Sequence, residues 1–154
     1  HAACIVPEKR QERTTEGGLD AVGGHNHLAR YVRQLNAADI RVSLFIEPDV
    51  LQIDAAKTLG APVVELHTGA FCEAADADRA RQFERLVKAA AHAEALGIEC
   101  HAGHGLTFDT VAPVAGIASV VELNIGHFLI GEAIFRGLAP AMAEMQRVIA
   151  EARA

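Results

Sequence analysis

No stretch of the chain approaches about 18 uninterrupted apolar residues, so no membrane-spanning helix is expected. Positive charge is in short supply: 14 Lys and Arg stand against 20 Asp and Glu, a formal net charge of −6. That balance argues against a nucleic-acid surface as the main business of the protein, although an anionic chain can still grip one small phosphate locally. Cysteine is scarce and unpatterned. The three thiols, Cys4, Cys72 and Cys100, have an odd count and no framework spacing, which fits reduced cysteines in a cytoplasmic protein. The chain does not open on a charged start followed by a long apolar stretch, so no signal peptide is expected. Neither a Gly-x-Gly-x-x-Gly turn nor a P-loop is present, which leaves a nucleotide cofactor without support. His-Glu-x-x-His runs and paired Cys-x-x-Cys units are missing as well.

What is present is an alternation. The 154 residues are 51% apolar and 22% charged, enough for one domain with a real core, and residues 1–154 are read as a single domain. Apolar runs of strand length occur at residues 2–6, 41–46, 62–67, 98–101 and 120–125. Between them, Leu28, Tyr31, Val32 and Leu35 recur at helical spacing. Leu51, Ile53, Ala56 and Leu59 do so too, and Gly60 follows as a stop. Residues 76–96 contain no Pro or Gly and end at Gly97. A last helix over 139–154 carries Met142, Met145, Val148 and Ile149 on one face, suited to packing on the fold or to a subunit interface. Strands separated by helices predict βα units and a parallel sheet. Their continuous apolar character predicts helices on both faces. Two architectures fit. A five-stranded doubly wound sheet is complete at this length. A (β/α)₈ barrel needs roughly 250 residues, so the chain would supply about its last five units. The opening at His1, straight into an apolar run, favours the second.

Polar residues collect where each strand ends, the place where loops and helix N-termini gather ligands in parallel α/β folds. A charged loop over residues 8–18 follows the first strand, longer than the usual two to six residues of a βα connection. Glu47 follows the second. The third carries Glu65 and His67, which share a face because they are two apart. The fourth runs into His101-Ala102-Gly103-His104-Gly105, the fifth into Glu122-Leu123-Asn124-Ile125-Gly126-His127. Each has an ordinary alternative: Glu65 as a buried ion-pair partner, His101 and His104 as a surface loop, Gly126-His127 as a tight turn. Their recurrence at one rim favours a shared site. Gly105 and Gly126 suit a phosphate, since bare backbone N–H groups can close on its oxygens. Three of His67, His101, His104, His127 and Cys100 could in principle hold zinc, but no ligand spacing supports a metal. Cys4 and Cys100 fall in apolar strands, where thiols are usually inert packing.

Several stretches together resemble the pyridoxine 5′-phosphate synthase family. They are Val6-Pro7-Glu8-Lys9-Arg10-Gln11-Glu12, Thr14-Thr15-Glu16-Gly17-Gly18-Leu19-Asp20 and Val42-Ser43-Leu44-Phe45-Ile46, followed by Glu65-Leu66-His67-Thr68-Gly69, Ala102-Gly103-His104-Gly105-Leu106-Thr107 and Glu122-Leu123-Asn124-Ile125-Gly126-His127. The resemblance implies a (β/α)₈ TIM barrel that condenses 1-deoxy-D-xylulose 5-phosphate with 3-amino-2-oxopropyl phosphate. The products are pyridoxine 5′-phosphate, inorganic phosphate and water, formed without a metal or organic cofactor. It implies that His104 is the proton donor and that Glu65 stabilises a charged transition state. It implies substrate contacts at Thr14, Gly105, Gly126 and His127, a mobile lid in the first loop, and a homo-oligomer. Three βα units, with another histidine and another glutamate acting as bases, precede this stretch in the family. The 154 residues alone are therefore expected to be inactive, which pyridoxine phosphate formation by the isolated polypeptide would refute. Two alternatives remain beside the synthase. One is another phosphate-sugar barrel enzyme, an epimerase or an aldolase, the latter requiring a Schiff-base lysine on a strand. The other is an inactive half-barrel that binds or assembles.

Overall fold

A computed structural model describes residues 1–7 and 17–154 of the chain. Thr14 and most of the charged loop expected over residues 8–18 lie outside the described residues. The elements are β1 (Ala2–Ile5), α1 (His25–Ala37), β2 (Arg41–Ile46), α2 (Val50–Leu59), β3 (Val63–His67) and α3 (Gly69–Glu73). They continue with α4 (Asp76–Ala95), β4 (Glu99–Gly103), α5 (Val111–Ala115), β5 (Val120–Asn124), α6 (His127–Arg136) and α7 (Leu138–Ala152). No helix among the described residues is long and apolar enough to cross a membrane.

The five strands form one parallel sheet in the order β1-β2-β3-β4-β5. A doubly wound sheet reverses its strand order partway. Here each strand adds beside the last, so the doubly wound alternative does not describe this chain. The register sets Phe45 beside Glu65, Glu65 beside His101, and Gly103 beside Asn124.

Alternation along the strands divides the sheet into two unlike faces. Val42, Leu44 and Ile46 of β2, Val64 and Leu66 of β3, and Cys100 and Ala102 of β4 belong to one buried cluster. Leu28 and Val32 of α1, Ile53 and Ala56 of α2, and Leu86, Ala89 and Ala93 of α4 belong to the same cluster. Neighbouring helices touch in the order α1, α2, α4, α5, α7, as one layer does. Each large side chain buried there contributes about 1.5–3 kcal/mol. The expectation of helices on both faces is corrected: among the described residues the other face carries no helical layer. Its alternate positions are Ala2 and Cys4 of β1, Arg41, Ser43 and Phe45 of β2, Val63, Glu65 and His67 of β3, Glu99, His101 and Gly103 of β4, and Glu122 and Asn124 of β5. The apolar runs concealed this, because Ala2, Val63 and Phe45 stand among those positions.

Two local expectations are also corrected. The fourth strand continues to Gly103, so His101 lies inside it and not in the turn. Its ring is buried, with Nε2 at 2.7 Å from Glu99 and Nδ1 at 3.3 Å from Glu122, and Arg41 reaches the same Glu99 at 2.8 Å. Cys4 is not apolar packing: it is exposed, and its thiol faces the Glu65 carboxylate at 3.7 Å. On the last helix, Met145 packs with Val111, Leu129 and Ala141 in a second cluster, while Met142 remains exposed.

Candidate functional site

The carboxyl ends of the strands enclose a cavity of roughly 500 Å³. Glu65, His104, Gly105, Gly126 and His127 all line it, so the structure brings together every expected site residue except Thr14, which lies outside the described residues. Phe45, Thr107, Asn124 and Phe128 complete much of the wall.

Glu65 stands on β3 with its side chain on the polar face of the sheet. Its Oε2 accepts a hydrogen bond from Asn124 Nδ2 at 2.9 Å and one from the Cys4 thiol at 3.7 Å. The close fit depends on Gly103 in the adjacent strand, because a Cβ there would stand 2.4 Å from Glu65 Oε1. Burial pushes the Glu65 carboxyl above its ordinary value, against the lowering effect of Cys4, His101 and Asn124. Cys4 is exposed as a whole residue, but its thiol lies against Glu65, and the water lost around the sulfur, then the Glu65 charge, push it up to about 11. Burial takes Cys100 to about 12, so neither is a thiolate nucleophile near neutral pH.

His104 begins the turn after β4 with φ at 79°, and Gly105 follows at 77°. A non-glycine residue in this left-handed region is strained and must be held there. Thr68, fully buried just after β3, supplies the hold: its N–H donates to the Gly103 carbonyl, and its single hydroxyl proton is shared between the carbonyls of Gly103 and His104. The His104 ring lies 5.0 Å from that of His67 and 6.4 Å from Phe45. Burial holds the His104 imidazole below its usual value, nearby His67 and His127 push the same way, and Glu73 opposes them.

Gly126 and His127 are exposed and open α6, a ten-residue helix with no acidic residue in its first turn. The positive end of the helix therefore faces the cavity uncompensated. A Cβ on Gly126 would meet nothing within 4 Å, so space beside it is open.

An acid–base pair and an anion-attracting helix end thus share one wall, a set suited to moving protons on a phosphorylated substrate. Among the described residues no three His, Cys, Asp or Glu side chains gather in a metal-holding group. Lys57 and Lys88 lie in α2 and α4, away from the strands, so neither supplies the Schiff-base strand lysine of an aldolase. Sequence reasoning missed Phe45 and Asn124 as wall residues. Period-two spacing marks both, since each shares a strand face with a polar neighbour two residues earlier, Ser43 and Glu122 respectively.

Comparison with known proteins fits this geometry. The model of the family described as pyridoxal phosphate biosynthesis protein PdxJ matches residues 1–151. The chain is 69% identical over 147 residues to the pyridoxine 5′-phosphate synthase of Rhodospirillum rubrum, covering 95% of this chain and 59% of that one. It is 59% identical over 158 residues to the protein of the same name from Ruegeria pomeroyi, covering 100% of this chain and 64% of the relative. For the Zymomonas mobilis synthase the identity is 55% over 154 residues, with 100% and 60% covered. The chain therefore spans 59% to 64% of the length of these relatives.

Proposed function

Starting from the chain's membership of the PdxJ family of pyridoxal phosphate biosynthesis proteins, we propose that it carries part of the active site of a pyridoxine 5′-phosphate synthase. The reaction is the condensation of 1-deoxy-D-xylulose 5-phosphate with 3-amino-2-oxopropyl phosphate to pyridoxine 5′-phosphate, phosphate and water. In this reading the parallel sheet is a segment of a (β/α)₈ barrel, residues 1–154 belong to one domain, and the polar face of the sheet looks into the barrel. The sequential strand order and the single helical layer support it.

Schiff-base formation, dehydration and ring closure each move protons. His104 donates them, since imidazole changes charge near neutral pH. Glu65, anchored by Asn124, stabilises positive charge that develops on the reacting nitrogen. Gly105, Gly126 and His127 bind substrate and phosphate at the start of α6, and Thr14 adds a contact from the first loop. No metal or organic cofactor takes part. A cytoplasmic homo-oligomer belongs to the same reading, to which the exposed Ile130, Ile134 and Phe135 offer apolar surface.

The observation that carries the proposal is the convergence of Glu65, His104, Gly105, Gly126 and His127 on one cavity. Its test is turnover of both ketone substrates by the enzyme that carries this chain. His104→Gln lowers kcat by about 10²- to 10⁴-fold at nearly unchanged melting temperature. Turnover near that of the unmodified enzyme removes His104 from the chemistry.

A further inference from the structure

Two polar groups next to the cavity have no part in the roles assigned so far. Glu47 follows β2, and His67 ends β3. Glu47 Oε1 accepts from the backbone N–H of Gly18 at 2.8 Å and pairs with His67 Nδ1 at 2.9 Å. The bond from His67 and that from Gly18 outweigh burial and hold the Glu47 carboxyl below its ordinary value, with Arg85 adding positive potential. An ionised carboxylate has no proton to give, so the imidazole donates from Nδ1 and leaves Nε2 as the free nitrogen. That nitrogen is buried without a partner, in a ring only 6% exposed. Phe45 packs edge-on against the same ring at 5.3 Å. The backbone of Gly69 closes on both histidines: a Cβ there would stand 2.6 Å from His67 Nε2 and 3.2 Å from His104 Cδ2.

Resting on the proposed function, we propose that His67, held by Glu47, is a positioning residue for His104: the pair fixes the ring on which the proton donor rests and so sets that donor's aim over the cavity. Such an arrangement is economical in freedom. A ring with one bonded nitrogen, a phenyl edge on one side and glycine backbone on another has a single orientation, and it passes that order to its neighbour. The charged and titratable groups near His104 are His67 from β3, Glu73 and the Cys72 thiol from α3, the latter 3.8 Å from the His104 carbonyl, and His127 from α6. Positive charge on His67 or His127 disfavours the protonated donor, and Glu73 favours it.

Three variants of the enzyme that carries this chain test the proposal: Glu47→Gln, His67→Phe and His104→Gln. Glu47→Gln and His67→Phe are each expected to lower kcat roughly 10- to 100-fold, the range for loss of a partner that orients a working imidazole. KM is expected to stay within about threefold, because neither residue is assigned a substrate contact. A packing role alone would lower stability and leave kcat of the folded enzyme in place. Wild-type kcat in both variants, with His104→Gln inactive, overturns the inference while the function stands. An active His104→Gln overturns the function and the inference with it. Nitrogen NMR of the histidine rings in the unmodified enzyme decides even where a variant does not fold. A proton on His67 Nδ1 supports the inference, and the Nε2–H tautomer overturns it.

Discussion

At Glu65, burial and hydrogen bonding pull in opposite directions, and burial prevails, so the folded protein favours the protonated carboxyl more than the unfolded chain does. The linkage sign follows. Any stability this group adds is present below its unfolded pKa and is lost as pH rises through the higher folded value. At neutral pH the ionised side chain is a cost, kept in place by Asn124 and by the neighbouring Gly103. Glu65→Gln removes the charge and keeps an acceptor oxygen for Asn124. It is expected to stabilise the protein at pH 7 by up to about 1 kcal/mol, a modest figure because water still reaches the group. Thermal unfolding checks this: the melting temperature rises by about 2–4 °C at pH 7, the gain fades towards pH 4, and turnover falls. A lower melting temperature at pH 7 contradicts it. His104 carries the complementary pH prediction. A proton donor whose pKa lies below the ordinary histidine value loses activity as pH rises through that lowered value. The alkaline limb of kcat/KM is expected below the midpoint of an ordinary histidine, and a limb above pH 8 would contradict the assignment.

The helices show how much of an element can be read from its ends. α2 is capped on both sides: Asp49 accepts the Leu51 N–H at 2.8 Å, and Gly60 takes φ 81° past the last turn. Gly60→Ala is expected to cost about 1 kcal/mol, because a Cβ is unfavourable at that dihedral and not for want of space. Chemical denaturation measures this as a lower midpoint at unchanged slope. Gly60 and Gly97 were legible as stops for this reason. α3 and α5 were not, since five residues hold too few turns for periodicity and α5 contains Pro113. The site divides in the same way. His104, Gly105, Gly126 and His127 stand out because polar residues and glycines directly follow apolar runs, and Glu65 because a carboxylate interrupts one. The pairing of Asn124 with Glu65 depends on register across three strands, and that of Glu47 with His67 on contact between two strand ends 20 residues apart. Local spacing contains neither. At α6 the free space beside Gly126 separates folding from binding. Gly126→Ala has an ordinary φ of −109°, so its melting temperature is expected to match the parent. If backbone N–H groups close on phosphate there, the added methyl raises KM about tenfold, and an unchanged KM speaks against that contact.

Across these 154 residues, a net charge of −6 stands in tension with the anionic substrate of the proposed reaction. These residues supply no net long-range attraction for a phosphate ester, so the affinity they contribute comes from contacts within a few ångströms. The open end of α6 and the His127 side chain supply such contacts beside the cavity. The strongly polar network of Arg41, Glu99, His101 and Glu122 lies elsewhere on the same sheet face, with its own internal pairing. Local binding of this kind has a measurable consequence. A ligand that binds only the folded state stabilises it by about 2.7 kcal/mol at 100 times its dissociation constant. Inorganic phosphate at that level is expected to raise the melting temperature of the enzyme that carries this chain by about 5–10 °C. Sodium chloride at matched ionic strength provides the comparison, because screening of self-repulsion stabilises any anionic protein a little. The excess over chloride belongs to the specific site and is expected to vanish in His127→Ala while the chloride response remains. Equal shifts from the two salts, or a phosphate shift that survives in His127→Ala, would place the anion somewhere other than the start of α6.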